Sequence, residues 1–498
     1  MLPRKKAKFT SVLLIMIMIL AFFSGCSSNK DSGEEKASGD GASKETAAEN
    51  VKDYDVVVIG GGAAGLSAAI EASDAGSKVA LLEKIPFVGG STLLSGGIIY
   101  ATGSEIQEKA GVQDSVDDLV NYWMERSEGH ADETLLRTVA ERSGDTINWL
   151  VNDVGVELPN LNPAGTSPVL RAHSTVDGGN GIIAPLKAYA ESKKVEFFLE
   201  TAAKEFIQSD DGAITGVIAV DKNDKEITFN AKSVVLATGG FDRNEDLMKK
   251  YNPDGMGKDN TNYVGMGNTG DGLLMAEKAG AEIIGNAGVI GIRGVEGEPN
   301  FESEVSMIMW SPYLLVNKEG KRFVNEATDY PIIHTALSKQ TDKSAYLIFD
   351  GSTYNELLDK AVERKEAFVS DSLEDLASQA GLDKAAFAAT VAEYNGMVES
   401  GQDTLFGKDM SKQTKIEKPK FYAVKIASAT IGTMTGVKID KDTHVLGKDG
   451  KIIQNLFAAG EVANGDFFYK EYPASGTSIQ MSLTFGRIAG TNAAADAK

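Results

Sequence analysis

Cysteine is nearly absent from this 498-residue chain: Cys26 is the only one. A lone thiol closes no intrachain disulfide, ligates no iron–sulfur cluster and attaches no haem through CxxCH. Any redox chemistry must therefore run on an organic cofactor. Histidine is scarce as well, with four residues. His130, His334 and His444 have no partner pattern, and no metal site is suggested. Basic residues are in deficit, 50 Lys and Arg against 71 Asp and Glu, for a formal charge of −21. Nothing on such a chain neutralises a long polyanion, so nucleic acid is excluded as a partner and small-molecule chemistry is favoured. The length allows a large core divided into about two or three domains. No internal repeat is present.

What the chain does have is Tyr54 to Gly65, YDVVVIGGGAAG. Asp55 to Ile59 is a β-branched run suited to a buried parallel strand, and it ends in Gly60, Gly62 and Gly65 at GxGxxG spacing. Gly60 permits the tight turn, Gly62 lets backbone N–H groups approach a pyrophosphate, and Gly65 lets the next helix pack closely on the strand. The helix N-terminus then faces the phosphates. A second strand, Lys78 to Leu82, delivers Glu83, whose carboxylate can accept from a ribose hydroxyl pair. GxGxxG alone is often only a turn, but strand, glycines, helix, strand and acid together predict a dinucleotide site in an α/β fold.

At the N-terminus, Arg4, Lys5, Lys6 and Lys8 precede an apolar run from Val12 to Phe23 and then Ser24-Gly25-Cys26-Ser27. The run is short for a membrane span and has the charge pattern of a secretory signal. It resembles a bacterial lipoprotein signal, with Phe23 where leucine is usual. That resemblance implies a signal peptide at residues 1–25, lipidation of Cys26, and an extracytoplasmic protein held to the bacterial cell membrane by lipid alone. The competing reading is an uncleaved anchor with an incidental cysteine. Residues 26–52 lack an apolar pattern and read as a flexible tether.

After Glu83 come Lys84, then Gly89-Gly90-Ser91-Thr92 and Ser95-Gly96-Gly97. Further on stand Ala237-Thr238-Gly239-Gly240, Asn268-Thr269-Gly270-Asp271-Gly272 and Ala459-Gly460-Glu461. With these motifs the chain resembles the flavoprotein family of FAD-dependent fumarate reductases, urocanate reductases and 3-ketosteroid dehydrogenases. The likeness covers about residues 53 to 495. It implies a Rossmann-like FAD-binding domain (53–287 and 421–498) with an inserted α+β capping domain (288–420), a lid over the cofactor. Ser91 and Thr92 stand where covalent members place a histidine, so FAD is expected to bind non-covalently. The resemblance implies cofactor contacts from Gly60, Gly62, Ala63, Ala64, Gly65, Glu83 and Lys84. It adds the loop residues Gly90, Ser91, Thr92, Gly96 and Gly97, and Gly239, Asp271, Glu461, Ser478 and Ile479 later in the chain. Arg171-Ala172-His173 looks like the family's R-x-H loop at the flavin, or else is a capped turn.

The lid signature runs from Leu315 to Glu326. Fumarate reductases carry a proton-donating arginine four residues after its N-E pair; here that position is Tyr330. Tyr472-Pro473-Ala474-Ser475-Gly476 follows the ketosteroid-enzyme pattern, where fumarate reductases carry a carboxylate-binding arginine. Ile431-Gly432-Thr433-Met434 lacks the fumarate-type histidine. A pocket so poor in cations stabilises two carboxylates badly, and suits a less charged substrate. Tyrosine, protonated at neutral pH, donates a proton without adding net charge. The expected chemistry is hydride transfer to the β-carbon of an α,β-unsaturated carbonyl, with Tyr330 protonating the α-carbon and Tyr472 and the Gly476 N–H polarising the carbonyl. Tyr330, Tyr472 and Tyr122 each have a packing role as the plainer alternative. Electrons would come from an external donor such as a surface or membrane flavoprotein. Rival readings are a ketosteroid-type dehydrogenase, a true fumarate reductase using Arg171, Arg293 or another arginine, and a non-catalytic FAD electron-relay lipoprotein.

Overall fold

The β-branched run starts four residues earlier than the pattern suggests. In the computed structural model, which describes residues 50–285, 288–298 and 303–498, the first strand is Val51–Ile59. Val51 and Lys52 pair with Thr228 and Phe229. Val51 and Lys52, expected in a tether, therefore belong to the sheet, because the neighbouring strand is long enough to recruit two more residues. The signal segment, Cys26 and the rest of the tether lie outside the described residues. No described helix is long and apolar enough to cross a membrane.

Val51–Ile59 is flanked on one side by Val79–Leu82 and on the other by Glu226–Leu236, all parallel, with Glu196–Phe198 and Ile452–Ala458 extending the sheet. Val56, Val57 and Val58 are fully buried, as continuous apolar runs are in parallel sheets covered on both faces. Thr201–Gln208 and Ile214–Asp221 add an antiparallel flap paired through Glu226–Leu236. The helix Ala63–Asp74 follows the first strand and packs on the last helix, Thr477–Asp496. Their approach is very close: a Cβ on Gly486 would fall 2.4 Å from the Ala64 carbonyl oxygen, and one on Gly490 2.1 Å from that of Ala68. Only glycine fits these two crossings.

A second, five-stranded antiparallel sheet is built around Phe421–Thr433. That strand pairs with Val289–Val295, Ser344–Phe349 and Ala367–Ser370. The domain boundary expected at residue 421 is therefore displaced: the second sheet runs through Thr433. Both sheets belong to one compact unit. The Leu315–Glu326 signature is structural. Glu326 accepts from Leu315 N–H at 3.1 Å and pairs with Arg322 at 2.8 Å and Lys408 at 3.1 Å, while Arg322 also reaches Asp403 at 2.7 Å. Two cations and two anions, all buried, neutralise one another there.

Candidate active site

The first turn sets the cofactor end. Gly60 has φ of +108°, and a Cβ there would lie 2.2 Å from the Ala237 carbonyl oxygen. Gly65 is equally constrained by Gly60 O, and so packs helix on strand without reaching the cavity. The Glu83 carboxylate is oriented by Gly61 N–H (2.9 Å) and Ile85 N–H (3.1 Å), which leaves lone pairs free for hydroxyl donors. Lys84 Nζ bonds Asp271 at 2.6 Å and Thr269 at 2.5 Å. Ser91 Oγ accepts from Gly265 N–H at 3.1 Å and ties the short helix Gly90–Leu93 to the Gly265 loop.

Apart from Gly65 and Thr269, these groups line one cavity of about 520 Å³. Gly60, Gly62, Ala63, Ala64, Glu83, Lys84, Gly90, Ser91, Thr92, Gly96, Gly239, Asp271, Glu461, Ser478 and Ile479 are on its wall, as are Tyr330, Tyr472 and Gly476. Gly65 and Gly97 are not. Gly97 is instead a backbone crossing, where a Cβ would meet Gly178 O and Thr175 Oγ1 at 2.3 Å. A Cβ on Gly62 would find its nearest neighbour 4.0 Å away, one on Gly239 3.6 Å away, and one on Gly96 nothing within 4 Å. Space bordered by bare backbone in this way fits a flat, phosphate-bearing cofactor lying against main chain. No histidine or cysteine is among the described residues of the wall, so those residues offer no imidazole or thiol for a covalent flavin link.

Glu461 is held by Thr433 N–H (2.7 Å), Thr433 Oγ1 (3.1 Å) and Asn268 Nδ2 (3.3 Å). Burial, reinforced by the nearby Asp242 carboxylate, pushes its carboxyl well above the usual carboxylate range. Asn268, which also accepts from Asp242 N–H at 3.0 Å, was visible in sequence only as part of a helix-opening loop.

The other end is aromatic. Tyr330 begins the helix Tyr330–Leu337, capped by Asp329. Its ring stacks on Tyr472 at 6.3 Å and stands edge-on to Trp310 at 6.4 Å. Tyr472 Oη accepts from Ser478 N–H at 2.7 Å and lies beside the Tyr330 hydroxyl. Burial drives both hydroxyls well above the ordinary tyrosine range, and the proximity of Asp329 adds to this. Gly476 caps the last helix with φ of +90°, where a Cβ would collide with Ile98 at 2.8 Å.

Asp329 is the joint that sequence reading passed over, although Asp before Tyr-Pro is an N-cap signal. It accepts from Tyr330 N–H (2.9 Å), Gly165 N–H (2.7 Å), Ser475 N–H (2.9 Å) and Ser475 Oγ (2.5 Å). One carboxylate thus fixes the Tyr330 helix to the Tyr472–Gly476 loop. Tyr122 braces the same loop, its hydroxyl donating to Pro473 O at 2.7 Å. Its role is packing and bracing, and it is not on the cavity wall.

The R-x-H segment is not at the cavity either. Arg171 is bidentate to Asp114 (2.7 and 2.5 Å) and buried. His173 bonds Arg171 O at 2.9 Å and Ser104 Oγ at 2.7 Å, and burial lowers it to about 4. Strand alternation puts Ile290 and Ile292 on the cavity wall and turns Arg293 to the other face, where one guanidinium nitrogen reaches Ser311 O at 3.4 Å and another has no partner. Lys84, bound to Asp271, is the one cation among the described residues of the wall.

The sequence profile of the FAD binding domain family matches residues 55–479. A probable fumarate reductase of Shewanella frigidimarina is 34% identical over 449 residues, 88% of this chain and 74% of that one. A urocanate reductase of Eggerthella lenta is 32% identical over 465 residues, 89% and 75% of the two chains. Among solved structures, a 3-ketosteroid-Δ4-(5α)-dehydrogenase of Rhodococcus jostii RHA1 superposes with a TM-score of 0.72 at 28% identity, over 89% of this chain and 97% of that one. With the profile spanning most of the chain and the glycine cradle open where the cofactor would lie, the protein belongs to the FAD binding domain family and its cofactor is FAD.

Proposed function

We propose that the protein reduces a C=C bond conjugated to a carbonyl, outside the cytoplasm on a lipid tether, with electrons from an external redox partner. It is an FAD-dependent oxidoreductase, and its relatives include fumarate and urocanate reductases. The observation that carries the proposal is the convergence of Tyr330, Tyr472 and Gly476 on the same cavity as the FAD cradle, with no free cation on its described wall.

FAD held along Gly60, Gly62, Glu83 and Gly239 would, when reduced, supply a hydride for the substrate's β-carbon. Tyr330 gives its proton to the α-carbon, so hydride and proton together add two electrons and two hydrogens across the double bond. Tyr330 then recovers a proton from water, and two electrons from the external donor together with a second proton from water complete the cycle. Because burial holds its pKa well above 10, Tyr330 is fully protonated before each turnover. Tyr472, oriented by Ser478 N–H, donates to the carbonyl oxygen as negative charge develops there, and the Gly476 N–H at the head of a 20-residue helix adds to that stabilisation. Asp329 holds donor helix and oxyanion loop in register.

Incubating holoprotein with reduced viologen and a panel of enoates, enones and urocanate tests the proposal. Reoxidation with formation of the saturated product is expected; silence with every compound would sink it. A ketosteroid-type dehydrogenase is the second reading, favoured by the Tyr472-Pro473 loop. It predicts flavin bleaching by a saturated ketone with no added reductant. A dicarboxylate specialist is disfavoured, since Arg171 is committed to Asp114 and Arg293 faces away.

A further inference from the structure

Apolar side chains also line the cavity, among them Ile290, Ile292, Ile431, Met307 and Trp310. Trp310 is 44% exposed and Met307 54%. Large apolar side chains left open inside a cavity are what a bound apolar group would cover. Three aromatic rings border this space, with Tyr330 stacked on Tyr472 and perpendicular to Trp310.

We infer that the substrate is a β-aryl α,β-unsaturated carbonyl compound with a single carboxylate or ketone, its aryl ring seated against Trp310, Met307 and the three isoleucines. The inference rests on the reductase reading and specifies its substrate. Tyr472 Oη and the backbone at Gly476 offer the carbonyl its polar contact on the described wall. A second carboxylate in the aryl position would be desolvated against isoleucine and tryptophan without a counter-ion. A small alkyl group would leave Trp310 and Met307 uncovered. A saturated polycyclic skeleton would cover area but forgo the edge-to-face and sulfur–aromatic contacts these side chains offer a flat ring. Trp310 is thereby the specificity-determining residue.

The step balances as an ordinary enoate reduction: two reduced-viologen radicals supply two electrons, two protons come from water, and the C=C becomes CH–CH. Reoxidation of reduced holoprotein is followed with cinnamate, crotonate, fumarate and a steroid enone. In the wild-type protein kcat/KM for cinnamate is expected to exceed that for each of the other three by at least about tenfold. Trp310→Ala lowers the cinnamate-to-crotonate ratio by about tenfold, and Trp310→Phe keeps most of it. Binding gives a check without any variant: 3-phenylpropionate perturbs the flavin absorption band of oxidised holoprotein with a Kd at least about tenfold below that of butyrate. Parity among the substrates, preference for fumarate or the steroid enone, or an unchanged ratio in Trp310→Ala overturns the aryl assignment while leaving the reductase reading intact. If no compound reoxidises the flavin, the reductase reading fails and this inference falls with it.

Discussion

Replacing Tyr330 by phenylalanine removes one oxygen and leaves the ring between Tyr472 and Trp310, where most of its packing lies. The hydroxyl lies beside those of Tyr472 and Ser475, while the helix start is held by the Asp329 side chain on the backbone N–H. The fold and FAD content should therefore survive, with Tm within about 2 °C of wild type for so small a change. Loss of a positioned general acid costs roughly 10²- to 10⁴-fold in rate, about 3–5 kcal/mol in barrier height. Stopped-flow reoxidation of reduced holoprotein by an enoate reads this step directly. A second signature comes from pH. With the Tyr330 hydroxyl well above 10, no loss of rate from its deprotonation should appear between about pH 6 and 9. If Tyr330→Phe retains turnover within about twofold on every substrate, the assignment of the proton donor is wrong and the ring serves only to pack.

Asp329→Ala strips acceptors from three backbone N–H groups and one hydroxyl that span the lid helix, the Gly165 turn and the Ser475 loop. A stability loss of about 2–3 kcal/mol is expected in urea titrations, with a fall in kcat at unchanged FAD content. Lys408→Met leaves Glu326 and Asp403 sharing Arg322 in a buried site. The midpoint of chemical denaturation should drop by the equivalent of about 3–5 kcal/mol, and a drop under about 1 kcal/mol would show that the cluster relaxes. His173 and His334 are both lowered to about 4 by burial. Since their folded pKa lies below the unfolded value of about 6.5, their contribution is fully present above pH 6.5 and is lost as pH falls towards 4, about 3 kcal/mol each. Equilibrium unfolding at pH 7.5, 5.5 and 4 should register the decline, and His173→Gln should flatten it.

How much of this was readable in advance follows from the range of each interaction. The glycine turn, the strand on either side of it and Glu83 are set by local φ constraints and by a spacing of a few tens of residues, so the cofactor end was legible. Tyr330, Tyr472 and Gly476 were picked out by likeness to a family, and the structure places all three on the cavity wall. Their joint is Asp329, whose partners stand 164 and 146 positions away, beyond the reach of any local pattern. Arg171 was expected at the flavin because its R-x-H motif resembles a flavin loop. Asp114, 57 positions upstream, captures it instead. Trp310 lies in a one-sided 3₁₀ segment, Glu304–Trp310, and no motif distinguishes it from a surface tryptophan. The domain boundary was expected at residue 421, but Phe421–Thr433 pairs within the second sheet; only its pairing partners decide, and they stand far away in the chain.

The central claim is that FAD in this cavity delivers its electrons to a conjugated C=C bond. The most direct measurement is an anaerobic single turnover, in which two-electron-reduced holoprotein is mixed with one equivalent of cinnamate and both flavin absorbance and product are followed. Full reoxidation with one equivalent of 3-phenylpropionate per flavin is the predicted result. A flavin that stays reduced with cinnamate and with every other enoate and enone, yet is bleached from its oxidised form by a saturated ketone, would contradict the account.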